Sequence, residues 1–190
     1  MALANIQQLQ HALKEWAIAV DALTAGKTIV LLRKGGIRER GFQVKHRLVW
    51  LYPTFEHQKP HLLKPEYTSE VALVESGWHP EMVNIKSCAQ VTDVWEISNR
   101  SHIEALQPYH IWNSEMIDER LQWKPEQPLM VLLLKVYRLD QPQVIPYNDQ
   151  YRGCKSWIDL VKPIATEQLI PVMEDKIYNQ ISQEIKALLI

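Results

Sequence analysis

The 190 residues include only two cysteines, Cys88 and Cys154, and no C-x-x-C pair. That excludes a disulfide framework and the paired-cysteine forms of zinc and thioredoxin-like chemistry, and it leaves both cysteines to be read as buried thiols. The six glycines form neither G-x-x-x-x-G-K-[ST] nor G-x-G-x-x-G, which counts against an ATPase or a dinucleotide enzyme. No uncharged stretch approaches the roughly 18 apolar residues of a membrane span, and the N-terminus lacks a basic-then-apolar secretory pattern. A cytoplasmic protein with no membrane partner is therefore expected. What is present is ordinary for a folded chain: 46% hydrophobic and 23% charged residues, in a length that suits one compact domain.

Neither charge is in excess, with 21 basic against 22 acidic residues and a net charge of -1. The average conceals an asymmetry. Residues 27 to 47 hold Lys27, Arg33, Lys34, Arg38, Arg40, Lys45 and Arg47 against Glu39 alone, a local charge of +6, which leaves -7 on the remainder. A basic segment on an otherwise acidic chain is the footprint of a phosphate-binding face, and the plainer alternative is a solvated hairpin rim.

The apolar residues Ile6, Leu9, Leu13, Trp16, Val20 and Leu23 step by three and four, which predicts one amphipathic helix ending at Gly26. Thr28 to Leu32 reads as a strand buried on both sides, leading into RKGGIRERG, where Gly35 and Gly36 can turn backbone N-H groups into a concave loop flanked by Arg33, Lys34 and Arg38. A second strand runs from about Arg47 to Tyr52 and stops at Pro53. Three prolines in the sixteen residues that follow Leu51 predict a long loop. Val83 to Val91 alternates as a half-buried strand, with a further extended piece at Val94 to Ile97. Asn99 or Ser101 and then Asn113 or Ser114 are caps for two short helices, and Leu129 to Leu139 is the best candidate for a central strand. Pro171 is expected to open a last helix carrying Met173, Ile177, Ile181, Ile185 and Leu188 on one stripe.

A helix, then mostly strands, then helices inserted before a last long strand is an order that resembles the PUA-like barrels, in particular the ASCH domains. The residues carrying the resemblance are Gly26, Lys27 and Thr28, the LVWLYPT and VTDVWEI strands, and LLLKVYRLDQP. It implies an α+β fold, a small, mostly antiparallel β-barrel over residues 1-165, with an N-terminal amphipathic helix and a C-terminal helical extension, 166-190, packed on the same domain. A second resemblance is closer in wording: KEWAIAVDAL, LLRKGGIRE, LYPTFEHQ and GCKSWIDL are similar to the 1802 family of domains of unknown function, common in cyanobacteria. Association of some members with a restriction-endonuclease domain implies a link to restriction-modification.

Three functions follow as expectations. The first is a nucleic-acid-binding module that recognises RNA or a modified base, with RNA or DNA as its partner. Arg33, Lys34, Gly35, Gly36 and Arg38 would meet phosphate, and Tyr52, Thr54, Glu56 and His57 would surround a pocket at the strand ends, with Phe42, Trp50 and Phe55 as further stacking surfaces. The second is a small amidohydrolase acting on a modified nucleoside, as the ASCH resemblance implies. Lys27 or Lys34 would be its base, Thr28 or Thr54 its nucleophile and Glu56 a proton carrier, with His57 beside it. The third is an interaction scaffold whose basic segment docks on an acidic partner. No cofactor is expected, and no metal: Pro60 between His57 and His61 opposes the helix that would align them, and the ExK triplets Glu174-Asp175-Lys176 and Glu184-Ile185-Lys186 fall in the last helix rather than on strands. Cys154, between Arg152 and Lys155, is read as structural.

Overall fold

The computed structural model describes residues 6–34 and 41–189. Gln8–Trp16 is a strand, β1, and it passes without a break into helix α1, Ala17–Thr24. Along the described chain there follow β2 (Val30–Arg33), β3 (Leu48–Thr54), the single-turn helix α2 (Pro65–Thr68), β4 (Met82–Ile97), α3 (Arg100–Ala105), α4 (Ser114–Gln122), β5 (Leu129–Pro146), β6 (Trp157–Ala165), β7 (Leu169–Pro171) and α5 (Asp175–Leu189). The strands form one mixed sheet in the order β2-β5-β4-β3-β1-β6, with β7 also on β5. Among the described pairings only β1 with β3 is parallel. This is the α+β, mostly antiparallel class that the element order implies.

The first predicted helix is half strand. β1 is a ladder member on both edges, parallel to β3 and antiparallel to β6, so its N-H and C=O groups are satisfied without a helix. Its register against β6 shifts between Leu9 and His11; Leu9 and Ala12 then join one apolar cluster and Leu13 the other. A strand that must feed two cores through a bulge carries apolar residues three and four apart, which is the spacing of a helix face. The helix proper begins only at Ala17. It ends as expected: Gly26 N-H bonds Leu23 O at 3.1 Å and Lys27 N-H bonds Ala22 O at 2.9 Å, a Schellman closure with Gly26 at φ 68°.

The two strands expected from 83 to 97 are one, β4, with register shifts against β5 at Ile85/Ser87 and Val91/Asp93. The first shift moves its buried side chains from the cluster of Val83 and Ile85 to that of Ala89 and Val91. β5 is the central strand, pairing β4 on one side and β2 and β7 in succession on the other. Asn99 and Asn113 cap α3 and α4, accepting from Ser101 N-H and, at 3.1 Å, from Met116 N-H. Pro171 ends β7 rather than opening the last helix, which starts at Asp175. α5 packs on the core through Tyr178, Ser182 and Ile185, so the buried stripe is rotated from the expected one and Ile177 and Leu188 are exposed. Among the described residues no helix is long and apolar enough to cross a membrane.

The expected barrel is an open curl. β2 and β6 end the path and share no ladder among the described residues, yet side chains join them: Arg33 donates to Ser156 Oγ at 3.0 Å, and Phe42 stacks on Trp157 at 5.6 Å.

Between α3 and α4, His110 is buried, and its Nδ1 accepts Trp112 N-H at 3.2 Å. Burial first, and then the nearby Lys64 ammonium, push the imidazole down to about 4 from its usual 6.5. Between those values the unfolded chain binds the proton and the folded chain does not, so stability is complete above about pH 6.5 and falls toward pH 4. The expected loss through His110 is about 3 kcal/mol over that window. Urea midpoints measured from pH 7 to pH 4 should fall more steeply for the wild type than for His110→Gln; parallel curves would remove His110 as the cause.

Candidate functional site

β1 and β3 are parallel, with Trp16 opposite Thr54, so both leave the sheet at the same end. β6 enters antiparallel to β1 with Trp157 opposite Leu13, and Lys14 N-H bonds Ser156 O at 2.9 Å, which brings the 152–156 loop to that same end. The C-terminal turn of α4 and the residues after it close the far side. The result is a cleft of about 800 Å³, walled by residues 14–16, Arg33, side chains of β3's end and the loop after it (Thr54, Glu56, His57, Lys59), the tip at Ser76 and Gly77, the end of α4 with Trp123, and the 152–156 loop. Six cations line it, Lys14, Arg33, Lys59, Arg120, Arg152 and Lys155, against the carboxylates of Glu15, Glu56 and Glu119. This excess of positive charge suits an anionic ligand.

The cations are not equivalent. Arg33 is engaged within the chain: it donates to Glu15 Oε2 at 2.5 Å, to Lys14 O at 3.2 Å and to Ser156 Oγ, and its guanidinium lies 5.3 Å from the Phe42 ring centre. With Arg33 and Glu15 only 16% and 7% exposed, this is a near-buried ion pair that shapes the wall. Lys14 is held by Tyr151 O at 2.6 Å and Gly153 O at 2.8 Å, and burial lowers its ammonium below the ordinary range against the opposing pull of Cys154 and Glu56. Burial also lowers Arg120, opposed by Glu15 and reinforced by the Arg33 charge. Lys59 pairs with Glu119 at 3.0 Å. Arg152 and Lys155 are exposed on the loop and are the cations best placed to meet a ligand.

Lys14, Thr54, Glu56, Arg152 and Gly153 are shared with a second, smaller pocket of about 40 Å³. Its walls are aromatic. Tyr52 meets Tyr151 edge-on at 5.4 Å, Tyr147 meets Tyr151 at 6.2 Å, Phe55 meets Trp78 at 5.7 Å, and His79 lies flat on Tyr147 at 3.4 Å with 7° between the planes. Tyr52 is buried, its hydroxyl has no hydrogen-bond partner among the described residues, and burial followed by the neighbouring Tyr147 and Tyr151 pushes its pKa upward.

Of the residues expected at the site, Tyr52, Thr54, Glu56 and His57 do gather at the strand ends. Thr54 Oγ1 donates to Glu15 O at 2.9 Å, Glu56 accepts the Gly77 N-H, and His57, at φ 62°, stands 4.0 Å from Glu56. The described residues of the basic window do not form one face. Lys34 is a correction: it is buried, and its ammonium donates to Arg120 O at 2.6 Å and Leu121 O at 3.3 Å, the carbonyls ending α4. Lys27 pairs with Glu70 at 3.6 Å, while Lys45 and Arg47 line a separate groove. Gly35, Gly36 and Arg38 lie outside the described residues.

Trp50 and Phe42 are core rather than stacking surfaces; Trp50 Nε1 donates to Leu9 O at 2.8 Å and ties β1 to β3. The two cysteines differ from their common reading: Cys88 is buried, its thiol pushed up to about 12 by burial, whereas Cys154 is exposed in the cleft. His61, Glu115 and Glu119 place ligand atoms within 4.8 Å of one another, but all three are exposed and Lys59 already supplies the cation. Sequence reasoning missed Lys14, Glu15, Arg120, Trp78, His79, Tyr147 and Tyr151. The Arg152–Lys155 pair around Gly153 was a legible signal, and the others are brought in only by tertiary structure.

A family described as Domain of unknown function (DUF1802) matches residues 12–184. No curated protein matches the chain. Similar solved structures include the ASCH protein from Zymomonas mobilis, 12% identical over 94% of each chain with a TM-score of 0.47. A single-substitution variant of that protein is 12% identical over 94% of this chain and 99% of the other, with a TM-score of 0.40.

Removing one partner of a buried pair leaves an uncompensated charge, so Arg33→Ala should cost about 3 kcal/mol of stability, while Arg33→Met combined with Glu15→Met should recover much of it. Urea midpoints at fixed pH read both effects. An unchanged midpoint in Arg33→Ala would show that the pair does not hold the cleft wall.

Proposed function

We propose that this chain, which belongs to the DUF1802 family, is a nucleic-acid-binding module whose cleft takes the phosphate backbone of RNA or DNA. One observation carries the reading: the cation-rich cleft opens through five shared residues onto a pocket walled by aromatic rings. Cations meet phosphates and rings meet bases, and a nucleic acid presents both at the spacing of one nucleotide. Arg152 and Lys155 make the phosphate contacts; Tyr52, Thr54 and Glu56 stand about the base, and His57 lines the cleft beside it. Arg33 acts indirectly, by fixing the wall. A preference for a modified base, and with it a place in restriction-modification, is the finer form of the same proposal and would be read in the selectivity of the aromatic pocket.

The hydrolase alternative is not carried forward in the form expected, because Lys27, Lys34 and Thr28 line neither pocket with Thr54 and Glu56. Thr28 Oγ1 donates to Tyr109 O at 2.6 Å, Lys27 and Lys34 are bonded away from Glu56, and the Thr54 hydroxyl is given to a backbone carbonyl.

Fluorescence anisotropy against labelled RNA, single-stranded DNA and duplex DNA, with and without base modification, tests the proposal across a salt series. Affinity for at least one class should fall linearly in log-log form, and Arg152→Glu should weaken it several-fold and reduce the slope by about 1. Binding indifferent to salt, or to Arg152→Glu, would contradict a phosphate cleft.

A further inference from the structure

We infer, resting on that reading, that the aromatic pocket is the seat of a single unstacked nucleobase and that the His79 ring occupies this place in the unliganded protein. The pocket combines three features that a flat heteroaromatic ring would use together. The first is a stacking face: His79 lies on Tyr147 at 3.4 Å and 7°, the separation and tilt at which a base stacks on a tyrosine. The second is the orphaned hydroxyl of Tyr52, buried at 3% exposure among the pocket walls. A buried hydroxyl without a partner is costly, and a base edge carries the donors and acceptors that would satisfy it. The third is charge. Lys14 and Arg152 line the pocket as well as the cleft against the single carboxylate of Glu56, which already accepts the Gly77 N-H, so the balance is positive and a cationic guest such as a methylated ammonium is disfavoured, although rings alone would welcome one.

As it stands, the pocket's 40 Å³ holds little more than a water molecule or two. A base enters by displacing His79, and the segment that carries His79 is built to move. Residues 75–79 are exposed and belong to no helix or strand, and Trp78 is 45% exposed. The segment is tied to the body through Glu56, which accepts the Gly77 N-H, and through the edge contact of Trp78 with Phe55. Opening it breaks few contacts, and Trp78 lines the pocket beside the place of the guest. With its base in this pocket and its phosphate at Arg152, the bound nucleotide cannot also be stacked and paired in a duplex. The ligand is therefore a single strand or a base extruded from a helix.

The test compares a labelled single strand about ten nucleotides long with an abasic strand of equal length and charge, by anisotropy at one salt concentration. Wild type should bind the base-bearing strand about tenfold more tightly than the abasic strand, the size expected from stacking on an aromatic ring. Tyr147→Ala and Trp78→Ala should each remove most of that difference while leaving the abasic affinity in place, Tyr52→Phe should remove only the part owed to its hydroxyl, and Trp78, being exposed, can be replaced without touching the core. Arg152→Glu should weaken both strands alike. Equal wild-type affinity for the two strands would overturn the base pocket and leave the phosphate cleft standing. Failure of wild type to bind either strand would overturn both.

Discussion

The guanidinium of Arg33 reaches from the last residue of β2 to Glu15 of β1 at 2.5 Å and to Ser156, just before β6, at 3.0 Å. β2 and β6 are the two ends of the sheet, so this one side chain spans the gap that a closed ladder would otherwise fill. The consequence is geometric. Because, among the described residues, these edges are bridged by side chains and not by a backbone ladder, the residues that bridge them become cleft wall. The near-buried pair contributes little net stability over an apolar replacement, but either member alone would be a buried charge without a partner. Its value here lies in setting where Lys14, Thr54 and the 152–156 loop meet.

What was legible in the sequence was local. Gly26, Asn99 and Asn113 announced helix ends through backbone chemistry that depends only on near neighbours, and the aliphatic run from Leu129 could be read as the central strand because it is apolar on both faces. What failed was long-range. Leu9, Leu13 and Trp16 imitate a helix because β1 feeds two cores across a bulge, a demand set by β3 and β6, which lie far along the chain at Leu48–Thr54 and Trp157–Ala165. Trp157 to Ala165 carried no strong strand signal of its own, since only one of its edges and part of one face are buried.

The site divides along the same line. Tyr52, Thr54 and Glu56 could be placed at a strand end from LYPTFE alone, whereas the described residues of the basic window around Arg33 were dispersed by folding. Lys34 went to the carbonyls of α4, Lys27 to Glu70, and Arg33 to Glu15. The exposed cations of the cleft, Arg152 and Lys155, come from a segment that net charge did not single out, and they arrive because β6 is antiparallel to β1. Electropositive surface on a near-neutral chain is thus a product of topology, and it sits beside aromatic rings drawn from β3, the 75–80 segment and the region after β5.

The central claim is spatial: nucleic acid lies in the cleft between the 152–156 loop and α4, with a base against the ring cluster. Ultraviolet cross-linking of a bound single strand, followed by peptide mapping, tests it most directly. The account predicts cross-links at Trp78, Tyr147 or Tyr151. Cross-links confined to the groove of His11, Lys45 and His46, at the opposite end of β1, would contradict it.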